Sequence, residues 1–258
     1  MKKIIKKGKK EGAIIFLHAS SSSSSVFNHI LNSDEVQQTK IAIDLPGHGN
    51  SIEEYKNHED FTVDFFTEKL IEYINSIEDS ILLVGNSLGG HLAIEIANKI
   101  HNLKGLLIFG TPPLKKPINF EEAFLPVAAL QTFLTENPSN SEIEAAANVA
   151  VVNEKCVYTI ISDFKNTNSN VRKKVAEDIL GNNLANEHEI FTKLQVPKFI
   201  IVGDKDPSVN STYLSQVQKD CEHYCEIIPF ENCGHYASLE KPNEFLDAIN
   251  TISKNVFI

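Results

Sequence analysis

Short, unbroken apolar runs recur along the chain, and longer stretches of helical periodicity lie between them. The runs are Ala13–Leu17 (AIIFL), Ile41–Ile43, Ile81–Val84, Leu106–Phe109, Phe199–Val202 and Glu226–Ile228. Most are too short for helices and lack alternation, as strands do when both faces of a parallel sheet are covered. Ile4–Ile5 is the candidate for one more strand at the start, expected to be missing or stubby because only about ten residues precede AIIFL. Phe61–Ile77, Leu88–Ile100, Val209–Lys219 and Asn243–Ser253 carry the helical pattern. Alternation of this kind predicts an α/β fold with a mostly parallel sheet and right-handed crossovers.

The alternation stops between Pro112 and about Ile190. This stretch predicts helices only: Glu121–Leu134, Ser141–Val152, Glu154–Phe164 and Ser169–Leu180. Asn137-Pro138 and the polar stretch from Asn166 to Asn170 separate them. Gly181 is expected to end the last one in left-handed geometry. Residues 1–113 and 191–258 therefore form the expected core, and residues 114–190 a helical cap inserted between strands. No internal repeat is present, and the one low-complexity tract is Ser20–Ser25, directly after a strand, where it is expected to make the loop mobile or polar.

Composition narrows the class. The 258 residues are 42% hydrophobic and 22% charged, ordinary globular usage. A net charge of −10 disfavours nucleic acid as a partner. The one basic cluster, Lys2 to Lys10, reads as a solvated strand edge. No apolar stretch is long enough to span a membrane, and no secretory leader follows the Lys-rich start. Four cysteines, Cys156, Cys221, Cys225 and Cys233, are too few for a disulfide framework and match no zinc spacing. Free thiols, a cytoplasmic location, and no metal or organic cofactor are the expectation.

Gly85-Asn86-Ser87-Leu88-Gly89 matches G-x-S-x-G between a buried strand and a helix. A sharp turn there strains the serine backbone and leaves the helix N-terminus facing any oxyanion that forms. A serine nucleophile needs a base, and the base an acid to orient it. Sites in open α/β sheets form beyond the carboxyl ends of strands, so the candidates are Asp204 and Asp206 after FIIV and His235 after EII.

With Phe16-Leu17-His18-Ala19, Asp44–Ser51 (DLPGHGNS), Gly203–Asp206 and Gly234-His235…Leu239-Glu240-Lys241-Pro242, the chain resembles the α/β-hydrolase fold superfamily in its capped serine branch. The resemblance covers nearly everything outside the cap. It implies Ser87 as nucleophile, His235 as base and Asp206 as acid, with Asp204 as runner-up. It also implies an oxyanion hole of the Leu88 and Ser20 N–H groups, and His18, Ala19 and Tyr236 beside the substrate. Ala19 stands where the family usually has glycine, which strains the loop if that position needs φ > 0. His18 reads as packing behind the loop, His48 as a turn residue and His91 as structural; His29, His58, His101, His188 and His223 read as surface. Arg172, the sole arginine, reads as part of a solvated helix face.

Three functions fit. The first is hydrolysis of a small carboxylic ester or thioester through an acyl-enzyme. The second is carbon–carbon bond hydrolysis or a related lyase reaction, which calls for a cationic cap group on a substrate carboxylate. The third is a hydrolase-fold receptor for a small apolar ligand.

Overall fold

A computed structural model describes residues 1–257. The strands are β1 (Lys3–Lys6), β2 (Ala13–Leu17), β3 (Thr39–Ile43), β4 (Ile81–Asn86), β5 (Leu103–Phe109), β6 (Lys198–Gly203) and β7 (Cys225–Phe230). They form one sheet in the order β1-β3-β2-β4-β5-β6-β7. Only β1 runs antiparallel, pairing Lys3 with Ile43 through Lys6 with Lys40 at the Lys-bearing edge. This is an α/β-hydrolase fold, its sheet flanked by helices on both faces.

The helices are α1 (Asn28–Asn32), α2 (Val63–Ile74), α3 (Leu88–Ala97), α4 (Phe120–Ala123), α5 (Asn140–Ala150), α6 (Val157–Lys165), α7 (Ser169–Leu180), α8 (Glu187–Lys193), α9 (Ser211–Asp220), α10 (Ala237–Glu240) and α11 (Pro242–Val256). Helix α2 forms where the sequence dictates: the Thr62 hydroxyl caps Phe65 N–H, and Val63, Phe66, Leu70 and Ile74 bury one stripe. The unbroken strand runs are explained by the two faces. Ala13, Ile15 and Leu17 join Ile81 and Leu83 in one core, while Ile14 and Phe16 join Leu82 and Val84 in the other.

Residues between β5 and β6 form α4 to α8 and lie across the loops at the carboxyl end of the sheet. The Asn168 N–H donates to Gly47 O at 2.8 Å, and the Gly49 N–H to Asn166 O at 3.2 Å. Three local expectations fail here. The helix expected over Glu121–Leu134 stops at Ala123; Phe124 bridges Val209, Leu125 N–H donates to Ser208 O, Pro126 follows, and Ala128–Leu134 is a 3-10 helix. Pro126 cannot donate a helical hydrogen bond, so the chain takes a cross-segment pairing instead. Gly181 has an ordinary right-handed backbone, and Asn182, at φ 57°, takes the left-handed position. Helix α8 was not expected, and the boundary drawn at residue 190 falls within it.

The chain runs from β2 to one side of the sheet and from β4 to the other. The crevice of such a sheet opens where these directions diverge, between the carboxyl ends of β2 and β4. Leu17 lies opposite Gly85 there, so the segment from His18 to Ser20 faces the turn from Asn86 to Leu88. Gly89 sits so close that an added Cβ would lie 2.3 Å from Leu17 O.

Candidate active site

Ser87 occupies φ 50°, ψ −117° between β4 and α3. A non-glycine residue held at such angles costs on the order of 1–3 kcal/mol and needs neighbours that over-determine it. They are present. Ser87 N–H donates to Phe109 O at 3.0 Å, and Ser87 O accepts from Gly90 N–H, His91 N–H and the Thr111 hydroxyl. The Leu88 and Ser20 N–H groups have no protein acceptor among the described residues.

His235 lies in the loop after β7 and Asp206 in the loop after β6. His235 Nδ1 stands 3.0 and 3.1 Å from the two Asp206 carboxylate oxygens. Asp206 also accepts from the Ser208 and Val209 N–H groups. Burial would raise the Asp206 carboxyl, but His235 and these donors outweigh it and hold it below its usual range. For His235, burial would lower the imidazole, yet the Asp206 charge and hydrogen bond leave it raised above 6.5. Asp204 is elsewhere: its side chain is 43% exposed, pairs with Lys205 and accepts from Cys233 N–H.

Asn86 joins this pair to Ser87. Its Nδ2 donates to Phe109 O at 3.1 Å and to His235 O at 3.2 Å. Gly110, at φ 60°, lies against the imidazole: an added Cβ would stand 2.8 Å from His235 Cε1. The Ser87 hydroxyl has no hydrogen-bond partner among the described residues. An imidazole with Nδ1–H on a carboxylate leaves Nε2 free to accept a proton.

A sequence model of the alpha/beta hydrolase family matches residues 14–248. The chain belongs to that family. A Mycoplasma pneumoniae protein bearing an esterase/lipase name is 23% identical over 255 residues, covering 92% of this chain and 89% of that one. Among solved structures, an N-acyl homoserine lactonase, AidH, in complex with N-hexanoyl homoserine lactone, superposes with a TM-score of 0.84 at 22% identity, over 98% of this chain and 93% of that one. MenH from S. aureus superposes with a TM-score of 0.76 at 20% identity, over 99% of both chains.

The surroundings of the site in this α/β-hydrolase depart from several sequence expectations. Ala19 does not have positive φ; the strained residue is Ser21, at φ 54°. His18 is fully buried with both nitrogens engaged: Nε2 accepts from Leu45 N–H at 3.0 Å and Nδ1–H donates to Ala19 O at 2.8 Å. It is unavailable to substrate, which corrects its expected place there. His48 mirrors it, accepting Ser21 N–H on Nε2 and donating from Nδ1 to Pro46 O. Burial keeps both rings below their usual pKa, so the loops after β2 and β3 are cross-braced by two neutral imidazoles. Tyr236 is buried and edge-on to His235, and Ala19 is buried too.

The serine tract is packed against the protein rather than left in solvent. Ser20 to Ser24 are buried; Ser24 N–H donates to Asp44, and the Ser23 and Ser25 hydroxyls donate to the two Asp163 oxygens on α6. Arg172 is not on a solvated face. It is 5% exposed, with Nε donating to Thr135 O, Nη2 to Glu136 O and Nη1 to the Ser21 hydroxyl.

Sequence reasoning assigned no role to Glu240, although it lies in the quoted Leu239–Pro242 segment. Its buried carboxylate accepts from Gly234, Tyr236, Val152 and Asn153 N–H groups, clamping the His235 loop to the end of α5. Glu187 was missed likewise: fully buried, it accepts from His91 Nδ1 and Leu114 N–H, tying α8 to α3.

Proposed function

We propose that this hydrolase cleaves carboxylic esters or thioesters of small molecules through an acyl-enzyme on Ser87. The observation that carries the reading is the contact of both Asp206 oxygens with His235 Nδ1, on a loop that Asn86 holds beside Ser87. The ionised Asp206 fixes the tautomer, His235 Nε2 takes the Ser87 proton, and Asp206 stabilises the imidazolium that results. The Ser87 oxygen attacks the substrate carbonyl, and the free N–H groups of Leu88 and Ser20 receive the oxyanion. Each such donor is worth about 3–4 kcal/mol in the transition state. His235 then protonates the leaving alcohol or thiol. Water, deprotonated by the same imidazole, releases the acid. The helical segment 114–190 acts as a cap that bounds the acyl site, and the buried Tyr236 packs edge-on behind His235.

The carbon–carbon reading calls for a cationic or polar cap group on a substrate carboxylate; Arg172, a candidate beside a few lysines, already donates from all three nitrogens to the protein, which disfavours that reading. The test is fluorophosphonate labelling followed by a panel of acyl esters, thioesters and lactones; lactones are included because AidH is a lactonase. Ser87→Ala is expected to abolish labelling and turnover while the fold persists. Turnover by Ser87→Ala at the parent rate refutes the assignment.

A further inference from the structure

Two charged side chains, the buried Arg172 and the half-buried Asp163, reach from the helical segment into the serine tract, and neither belongs to the proposed reaction chemistry. Arg172, near the start of α7, is the only arginine in the chain. It lies in van der Waals reach of the Phe164 ring, 4.2 Å from its centroid, and has no carboxylate in hydrogen-bond contact. Two of its three hydrogen bonds go to carbonyls of the segment itself, Thr135 and Glu136. The third, from Nη1 to the Ser21 hydroxyl at 3.3 Å, crosses to the loop after β2. A buried guanidinium needs every available acceptor, so this contact holds both partners in place.

Ser21 is where that grip has leverage. It is fully buried, it adopts φ 54°, and its N–H is held by His48 Nε2 at 3.2 Å. A serine in the left-handed region relaxes unless its surroundings prevent it. Relaxation would turn the backbone entering Ser21, and the Ser20 N–H lies one residue upstream. Downstream, Asp163 holds the hydroxyls of Ser23 and Ser25. The strained residue is thus fixed by its N–H from β3's loop and by its hydroxyl from α7, with the following serines fixed from α6.

We infer that Arg172 is a positioning residue for catalysis, holding Ser21 in its strained conformation so that the Ser20 N–H stays aimed at the carbonyl oxygen beside Ser87. This rests on the reading of Ser20 as an oxyanion donor. Arg172 touches no reacting atom. It makes the oxyanion loop dependent on the seating of the helical segment.

The experiment compares Arg172→Met, Arg172→Lys, Ser21→Ala and the Arg172→Met/Ser21→Ala double variant on a short-chain nitrophenyl ester. It reads kcat and KM separately, the inhibition constants of a trifluoromethyl ketone and of the product acid, and Tm. The ketone forms a tetrahedral oxyanion on the serine; the product acid does not. Arg172→Met is expected to lower kcat roughly 10- to 100-fold and to weaken the ketone by a similar factor. KM and product-acid inhibition stay within about two-fold, as for a loss felt only in the transition state. Arg172→Lys, which keeps a donor, recovers much of the loss. The double variant is no worse than the poorer single one, because both cut one connection.

An unchanged kcat in Arg172→Met, a loss carried by KM, or a loss that follows only the unfolded fraction overturns the inference. If Arg172→Met does not fold, Arg172→Lys and Ser21→Ala give the same reading, and full activity with unchanged ketone affinity in Ser21→Ala overturns it. Ser20→Pro, which deletes the donor itself, separates the two levels. Full activity in Ser20→Pro refutes the oxyanion reading, whereas its loss beside an unaffected Arg172→Met refutes only the role of Arg172.

Discussion

Replacing Glu240 is expected to damage both stability and turnover, although the side chain touches no reacting group. Its carboxylate is 5% exposed and accepts four backbone N–H groups, at 2.7 Å from Val152, 3.1 Å from Tyr236, 3.2 Å from Gly234 and 3.4 Å from Asn153. A hydrogen bond to a charged group contributes about 1.5–3 kcal/mol, and each buried N–H left unpaired costs about 1–3 kcal/mol. The Val152 bond is the shortest, the Asn153 one is weak, and the four share one carboxylate, so they do not add. Glu240→Ala is expected to cost roughly 3–5 kcal/mol, which for a chain of this size lowers Tm by roughly 6–20 °C. Glu240→Gln keeps one acceptor oxygen and turns an NH2 towards other donors; it falls between the two. Gly234 and Tyr236 flank His235, so kcat falls even where the variant remains folded. Circular-dichroism melting and ester turnover at 15 °C measure the two effects. A Tm within 2 °C of the parent for Glu240→Ala would show that the clamp contributes little and refute the reasoning.

Other outcomes follow from the same geometry. Asp206→Asn is expected to cost far more kcat than Asp204→Asn in the same ester assay; the reverse ranking transfers the acid role to Asp204. Because His235 must be neutral to act, and its pKa lies above 6.5, kcat/KM should rise with pH through a midpoint above 6.5. Asp206→Asn removes the Asp206 charge, the largest of the influences that raise it, while burial remains, so the residual activity should titrate at lower pH; a profile shifted upward contradicts this. Burial raises Glu95 from 4.5 to about 6, so its contribution favours the folded state fully below 4.5 and is lost as pH rises through about 6. Glu95→Gln, which keeps an acceptor for Ala185 N–H, should therefore gain Tm relative to the parent between pH 5 and pH 7.5, and a constant difference would be the contrary result. Asn182→Gly should stabilise by a few tenths to about 1 kcal/mol because φ is 57° there, whereas Ala19→Gly, without positive φ, should lose a similar amount in denaturant titrations.

The inner strands β2 to β6 were legible because burial on both faces writes itself into the chain as unbroken apolar runs. All seven strands fall on runs visible in the sequence, the first only as Ile4–Ile5. The turn holding Ser87 was legible for a similar reason, since close approach of Leu17 O leaves room only for glycine at position 89. Such signals are local in the chain, although the packing that requires them is not. What the chain alone left open depends on which distant groups meet. The serine tract has the composition of a mobile loop, yet Asp163 and Arg172 lie some 140 and 150 positions away and bury it. Arg172, followed by Lys173 and Lys174, has the pattern of a solvated face, and only the packing of α7 over the loop after β2 turns it inward. Glu240 is one acidic residue among 34 acidic ones until four N–H groups from two segments converge on it. Periodicity and turn chemistry determined the layers and the order of the candidate residues. Burial of polar groups, settled by where unsatisfied donors and acceptors find one another, was decided only in three dimensions.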